Sequence, residues 1–236
     1  MASDFAIATT KGGAETVRVT SSVEDIRRFG TAEYPTYAQA IVSLLAEKGK
    51  LNGRVGMEFG TGHKIHLNYD MTQQLFAALK DATLVDAADM LWAVRSIKSP
   101  LEIQAIRKAC DINCKGIERG FDRLRAGYTE LELNSMIMGE YYRLGAESSL
   151  TLGIRAGAER YSQGNCPPSR RPIQPGEIIL VDGGPSYDGY VSDIIREAVI
   201  DKPTDYQQEM FDVAREACYR GIDAMKPGTP IDQVVK

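Results

Sequence analysis

Asp182 and Asp193 bracket a run that reads strand, turn, strand: Ile178-Ile-Leu-Val-Asp-Gly-Gly-Pro-Ser-Tyr-Asp-Gly-Tyr-Val-Ser-Asp193. Apolar residues 178–181 lead into Asp182, turn formers follow, and a second strand-like stretch carries Asp193 before Ile194 and Ile195. A loop of Tyr187 and Asp188 sets the two aspartates directly opposite one another. A loop of Asp188 and Gly189 sets them diagonally on one face, and a three-residue loop sets Asp182 against Ile194 instead. Like charges paired across strands repel, and a carboxylate among apolar neighbours must find a partner or a proton. A divalent cation resolves the conflict. Carboxylate oxygens suit Mg²⁺, Mn²⁺, Co²⁺ or Zn²⁺, and bridging carboxylates can hold two ions roughly 3.5–4 Å apart for hydrolysis. The plainer reading of the same residues is a solvated hairpin whose aspartates serve its turns.

The run Val181-Asp-Gly-Gly, four residues, then Gly189-Tyr-Val-Ser-Asp193-Ile-Ile-Arg196 resembles the metal-binding hairpin of the pita-bread metallopeptidases. That family includes methionine aminopeptidase, aminopeptidase P, prolidase and the metal-free creatinase. A second stretch, Arg95-Ser-Ile-Lys98-Ser-Pro-Leu-Glu-Ile103 with Ala105-Ile-Arg-Lys-Ala109, is similar to the join between a creatinase-type amino-terminal domain and the catalytic domain. Fainter echoes lie at 54–58, at Pro175-Gly-Glu177 and at Lys226-Pro-Gly228. The resemblance implies an α/β plus α+β protein. Residues 1–97 would form part of a creatinase-type domain, and residues 98–236 the first half of a pita-bread catalytic domain. It also implies that Asp182 and Asp193 are the first two ligands of two divalent metal ions (Mn, Co or Zn), in a hydrolase of the Xaa-Pro aminopeptidase and prolidase type. A peptide or small amide is the implied substrate, and a homodimer the implied assembly.

The family completes its site with a His and two Glu later in sequence, whereas this chain ends at Lys236 and its histidines, His63 and His66, precede the join. The expectation is a piece of a longer protein, short at both ends and catalytically incomplete alone, with the general base and the His beyond residue 236. Other positions also depart from the family. Where its peptidases carry a substrate-positioning His, this chain reads Gln163-Gly-Asn-Cys-Pro-Pro-Ser-Arg-Arg171, with Asn165 or Gly164 in that place. Asn165, the substrate-pocket candidate, can donate a hydrogen bond but cannot shuttle a proton. Ile195 and Glu197 replace small hydroxyl residues around Arg196, itself expected to support the ligands from the opposite face. Gly184 stands where the related dimethylsulfoniopropionate lyases have an extra Asp. The alternatives implied are a metal-free, creatinase-like hydrolase of small amidines or amides, and a non-catalytic pita-bread binding protein.

Composition sets the outer limits. A chain of 236 residues with net charge −4 and no basic stripe points away from nucleic acid. No run approaches ~20 apolar residues and no signal region opens the chain, so no membrane partner is expected and the cytoplasm is the default. The four cysteines lack a zinc-type pair; Cys110 and Cys114 share a helical face as small core residues, and Cys166 lies in the loop near the site.

The positioning elements follow from pattern. Thr36 with Gln39 starts a helix carrying Ile41, Leu44 and Leu45 inward and stopping at Gly49. Residues 54–57 and 83–85 read as strands, and Asp70 caps the helix between them, which turns Met71, Leu75 and Leu79 inward. Gly60-Thr-Gly-His63 is a plain loop, since it lacks the continuation of a phosphate loop. Ser99-Pro-Leu-Glu102 opens a long helix with Ile106, Cys110, Cys114, Ile117, Phe121 and Leu124 inward. Thr129 with Glu132 opens another, with Leu133, Ile137, Tyr141 and Leu144. Alternation at Leu150, Leu152 and Ile154 marks a strand, residues 157–171 a loop, and residues 204–225 a last long helix.

Overall fold

The structure, a computed structural model, describes residues 5–62, 64–149, 152–164 and 166–235. The chain divides into two units, Met1–Ile97 and Lys98–Lys236. In the first, β1 (Ala6–Thr9), α1 (Lys11–Thr20) and β2 (Asp25–Arg28) form a parallel strand pair around a helix. After α2 (Tyr37–Glu47) the motif recurs with β3 (Arg54–Met57), α3 (Tyr69–Ala78) and β4 (Thr83–Asp86), again parallel, and α4 (Ala88–Ser96) closes the unit. The expected Thr36–Gln39 capping box is present. Leu75, Leu79 and Ala38 make a small core with Ile41, Leu45, Met57 and Leu84. One cap differs from expectation: Asn68, not Asp70, caps α3, because its Oδ1 accepts from Met71 N at 2.9 Å. Asp70 falls in the first turn, where its charge faces the helix dipole favourably.

The second unit opens with α5 (Pro100–Arg123), started by the Ser99–Glu102 capping box, and α6 (Glu130–Arg143), started by Thr129 and Glu132. Then come β5 (Ser148–Ser149), β6 (Gly153–Ala156), α7 (Ala158–Tyr161), β7 (Ile178–Gly183), β8 (Pro185–Tyr187), β9 (Tyr190–Val191), β10 (Ile194–Val199), α8 (Asp205–Ala224) and α9 (Ile231–Val234). Two antiparallel sheets result, in the orders β10-β7-β6 and β5-β8-β9. Strand alternation turns Ile154, Ala156, Ile179 and Val181 into one core with Ile112, Ile117, Leu133, Ile137 and Tyr141 of the two helices. Leu150 lies outside the described residues.

The buried stripe of α5 is not the one its cysteines suggest. Ala109, Ile112, Asn113, Gly116, Ile117 and Gly120 face inward, whereas Cys110 is half-buried and Cys114 exposed. Close helix packing explains the rotation. A Cβ on Gly116 would enter the Tyr141 ring and one on Gly120 would enter Ile137, so the two glycines let α6 approach where larger residues would hold it off. At the rim of this crossing the buried Glu140 carboxylate receives Arg119, Arg123 and Arg143 at 2.6–3.1 Å. The last long helix, α8, has no buried residue, and Phe211 and Ile222 on it are exposed. Gly116→Ala is expected to destabilise the protein by about 1–3 kcal/mol through overpacking against Tyr141, measured as a lowered urea midpoint at unchanged slope.

Candidate functional site

Asp188 and Gly189 both take positive φ, 49° and 75°, the geometry of a two-residue hairpin turn. That turn sets the register: Tyr187 pairs with Tyr190, Ser186 with Val191, Gly183 with Ile194 and Asp182 with Ile195. Asp193 therefore stands level with Gly184, diagonal to Asp182 and on the same face. Of the arrangements open to the sequence, the diagonal one is realised; direct opposition is not, because Tyr187 is paired with Tyr190 before the turn and Gly189, not Tyr187, shares the turn with Asp188. In a regular ladder such diagonal neighbours sit roughly 7–8 Å apart, too far to touch and close enough to share ions.

The hairpin is held at its bend by a buried amide. Asn113, fully buried on α5, donates through Nδ2 to Gly183 O at 2.8 Å and to Ser192 Oγ at 3.2 Å, and its Oδ1 accepts from Tyr141 Oη at 2.5 Å. Burial pushes the Tyr141 phenol up, so it remains a donor. Gly184 passes so close to Asn113 and Ser192 that a Cβ there would collide with both. At the far end Tyr190 Oη donates to Glu102 Oε1 at 3.1 Å, tying the turn to the start of α5. The sequence pattern missed Asn113, since a polar residue between Ile112 and Cys114 reads as part of a solvated face. The signal available was the apolar company on either side of it.

Pairing across β6, β7 and β10 lines up Gly153, Asp182 and Ile195 in one row and Arg155, Leu180 and Glu197 in the next, all on the face turned away from the helices. Arg196, paired with Val181, points to the other side and reaches Cys114 Sγ at 3.8 Å, as its odd offset from Asp193 implies. Arg155 is the unforeseen member of the face. Its side chain is 13% exposed, Nη2 lies 3.6 Å from Asp182 Oδ2, and Nη1 donates to Gln163 O at 2.8 Å. Its Nε is buried without a hydrogen-bond partner among the described residues. Asp182 is about a quarter exposed and Asp193 is exposed, so solvent reaches both carboxylates.

The loop after β6 is anchored by charge. Glu130, fully buried at the start of α6, accepts from Ala156 N at 2.9 Å, Arg160 Nε at 2.8 Å and Ser169 N at 2.7 Å. Arg160 also donates to Pro167 O at 2.8 Å and lies 3.3 Å from Cys166 Sγ. Arg171 forks onto Glu177, and this guanidinium holds the Glu177 carboxyl below the usual carboxylate range against the opposing effect of burial. Asn165 and His63 lie outside the described residues. His66 is exposed, in keeping with a surface role.

The donor set fits a divalent cation in part. Asp182 and Asp193 offer two hard oxygen ligands on one face, although among the described residues no three His, Cys, Asp or Glu side chains come together to hold an ion. Residues 104–236 match metallopeptidase family M24, and the chain belongs to that family. It is 29% identical over 164 residues to an Xaa-Pro dipeptidase of Pyrococcus furiosus, covering 69% of this chain and 47% of the relative. It is 32% identical over 170 residues to an uncharacterized peptidase of Staphylococcus saprophyticus, covering 72% and 48%. Among solved structures, an X-Pro aminopeptidase of Thermotoga maritima superposes with TM-score 0.80 at 19% identity, over 97% of this chain and 62% of that one. The prolidase of Pyrococcus furiosus gives 0.77 at 23%, over 97% and 63%. The fold is thus the mixed α/β, pita-bread architecture of those proteins. The chain spans about half the length of the curated relatives it matches.

Two outcomes follow from these contacts. Asn113→Leu leaves Gly183 O and the Tyr141 hydroxyl unpaired in the core. It is expected to cost about 2–4 kcal/mol and to speed amide exchange across 182–193. Glu177 contributes stability above its unfolded pKa of roughly 4.3, and that contribution fades as pH falls through its lower folded value. The stability gap between wild type and Glu177→Gln should therefore narrow as pH is lowered from about 6 to about 3, read by denaturation at each pH.

Proposed function

We propose that this chain carries the first ligands of a metal-dependent hydrolase that cleaves a peptide or amide bond in the manner of the Xaa-Pro dipeptidases and aminopeptidases it resembles. Asp182 and Asp193 would hold a pair of divalent ions, with Mn, Co and Zn all compatible with carboxylate oxygen. The observation that supports this reading is the hairpin register, which sets Asp193 level with Gly184, one diagonal step from Asp182, across a two-residue turn. Ions held there would polarise the scissile carbonyl and make water a better nucleophile at neutral pH. The protein's own residues supply the rest of the design. Asn113 holds the bend of the hairpin that carries both aspartates, Glu130 and Arg160 anchor described residues of the segment after β6, and Asn165 is the candidate substrate contact. Residues 1–97 would correspond to part of a creatinase-type domain and residues 98–236 to the first half of the catalytic domain. A homodimer and a cytoplasmic site belong to the same reading.

Arg155 favours a second reading. A guanidinium 3.6 Å from Asp182 already offers that carboxylate a positive charge, the arrangement expected of a metal-free, creatinase-like member acting on a small amide or amidine. Metal analysis of the protein at its natural length separates the two. Under the metal reading, bound Mn²⁺, Co²⁺ or Zn²⁺ falls in both Asp182→Asn and Asp193→Asn. Unchanged metal content in both variants removes it, and turnover that survives exhaustive chelation supports the second reading.

A further inference from the structure

Several contacts hold the segment that follows β6, and one of them ends on a proposed ligand. Glu130 gathers Ala156 N, Arg160 Nε and Ser169 N, and the Tyr161 hydroxyl donates to Glu197; none of these contacts involves Asp182 or Asp193. Arg155 differs. It donates through Nη1 to Gln163 O at 2.8 Å and to Gly164 O at 3.4 Å, while Nη2 of the same guanidinium lies 3.6 Å from Asp182 Oδ2. One planar group therefore bridges the loop backbone and the carboxylate. The bridge is incomplete, since Asp182 is reached by a single nitrogen at long range and Nε is buried with no hydrogen-bond partner among the described residues. Arg171, by contrast, forks both terminal nitrogens onto Glu177. A largely buried guanidinium has lost most of its hydration, so this one depends on the Asp182 charge for compensation.

We propose that Arg155 is a positioning residue that couples a divalent cation at Asp182 to the hold on residues 163–164, each weakening the other. The inference rests on the function proposed above, in which Asp182 is a ligand. A second positive charge at one carboxylate is repelled by the first whichever oxygen each takes, so the guanidinium lowers the affinity of Asp182 for a cation. Linkage makes the effect mutual: the factor that Arg155 takes from cation binding is the factor that the cation takes from the contact between Arg155 and Asp182. Released from Asp182, the guanidinium no longer joins β7 to the Gln163 and Gly164 carbonyls, and the segment opens more readily. Asn165, the proposed substrate contact, is the next residue in the sequence. The segment leading to the substrate contact and the charge at the ligand are thereby tied through one side chain.

The test takes the protein at its natural length, stripped of metal, and titrates it with Mn²⁺ alone by calorimetry, with amide exchange of residues 157–164 followed before and after. Arg155→Met, which removes the charge at similar length, should raise Mn²⁺ affinity about tenfold, the scale of one partly screened charge at contact range. Arg155→Lys keeps the charge and should keep the wild-type affinity, yet it cannot span both partners and should exchange faster at 157–164 without metal. In wild type Mn²⁺ should speed exchange at 157–164, whereas in Arg155→Met exchange should be fast from the start and insensitive to Mn²⁺. Arg220→Met removes a positive charge on α8 and should leave the affinity unchanged. Circular dichroism confirms that each variant is folded. Unchanged Mn²⁺ affinity in Arg155→Met, an equal gain in Arg155→Lys or Arg220→Met, or wild-type exchange that Mn²⁺ does not alter overturns the inference. The two readings fail separately. Metal content that falls in Asp182→Asn while Arg155→Met binds like wild type overturns the coupling and leaves the proposed function; metal content unmoved in both aspartate variants removes the function and the coupling with it.

Discussion

A strand has two faces, and moving its pairing by one residue exchanges them. In this protein that choice is made at the bend after Gly183, where Asn113 reaches from α5 to Gly183 O and Ser192 Oγ while Tyr141 of α6 donates to it from behind. The amide satisfies backbone and hydroxyl groups that would otherwise be orphaned in the core, so any slip of the hairpin would leave several buried polar atoms unpaired at once. Gly184 has no room for a side chain at the same point, and Gly116 admits the Tyr141 ring that completes the network. Helix crossing, hairpin register and the placement of Asp182 and Asp193 are therefore one problem with one solution.

The face so defined is electrostatically uneven. Asp182, Asp193 and Glu197 are acidic, and Arg155 is the basic residue set among them. A guanidinium with one edge on Asp182, one nitrogen on a loop carbonyl and a buried Nε without a partner is an incomplete ion pair. Such a group binds its carboxylate weakly compared with a forked pair like Arg171 and Glu177. Asp182 thus keeps its access to solvent, while the loop that follows β6 is fastened to β7 through Arg155. The buried Glu130 fastens the same loop from the other side, drawing Ala156, Arg160 and Ser169 onto one carboxylate.

Much of this was legible in the residues. Four capping boxes, at Thr36, Ser99, Thr129 and Thr204, begin helices, because a hydroxyl three residues before Glu or Gln satisfies backbone donors locally. Asp188-Gly189 made the diagonal register available for the same reason, both residues accepting positive φ at low cost. The inward stripe of α5 was misread through its cysteines, since periodicity locates a face only to within one helical row and the glycines that bring α6 close carry no hydrophobic signal. Asn68 displaced Asp70 as a cap because either residue type can serve, and the start of the turn decided between them.

By itself the sequence determined where helices and strands begin, that a two-residue turn was available between the aspartates, and membership of a metallopeptidase family. These rest on local backbone chemistry and on motifs short enough to be read in order. Only the tertiary structure decided that Arg155 lies beside Asp182 and that Asn113 holds the bend. Each of those depends on contacts between residues far apart in the chain. Their free energy comes from desolvation and pairing that exist only once the sheet and the two helices have closed on one another.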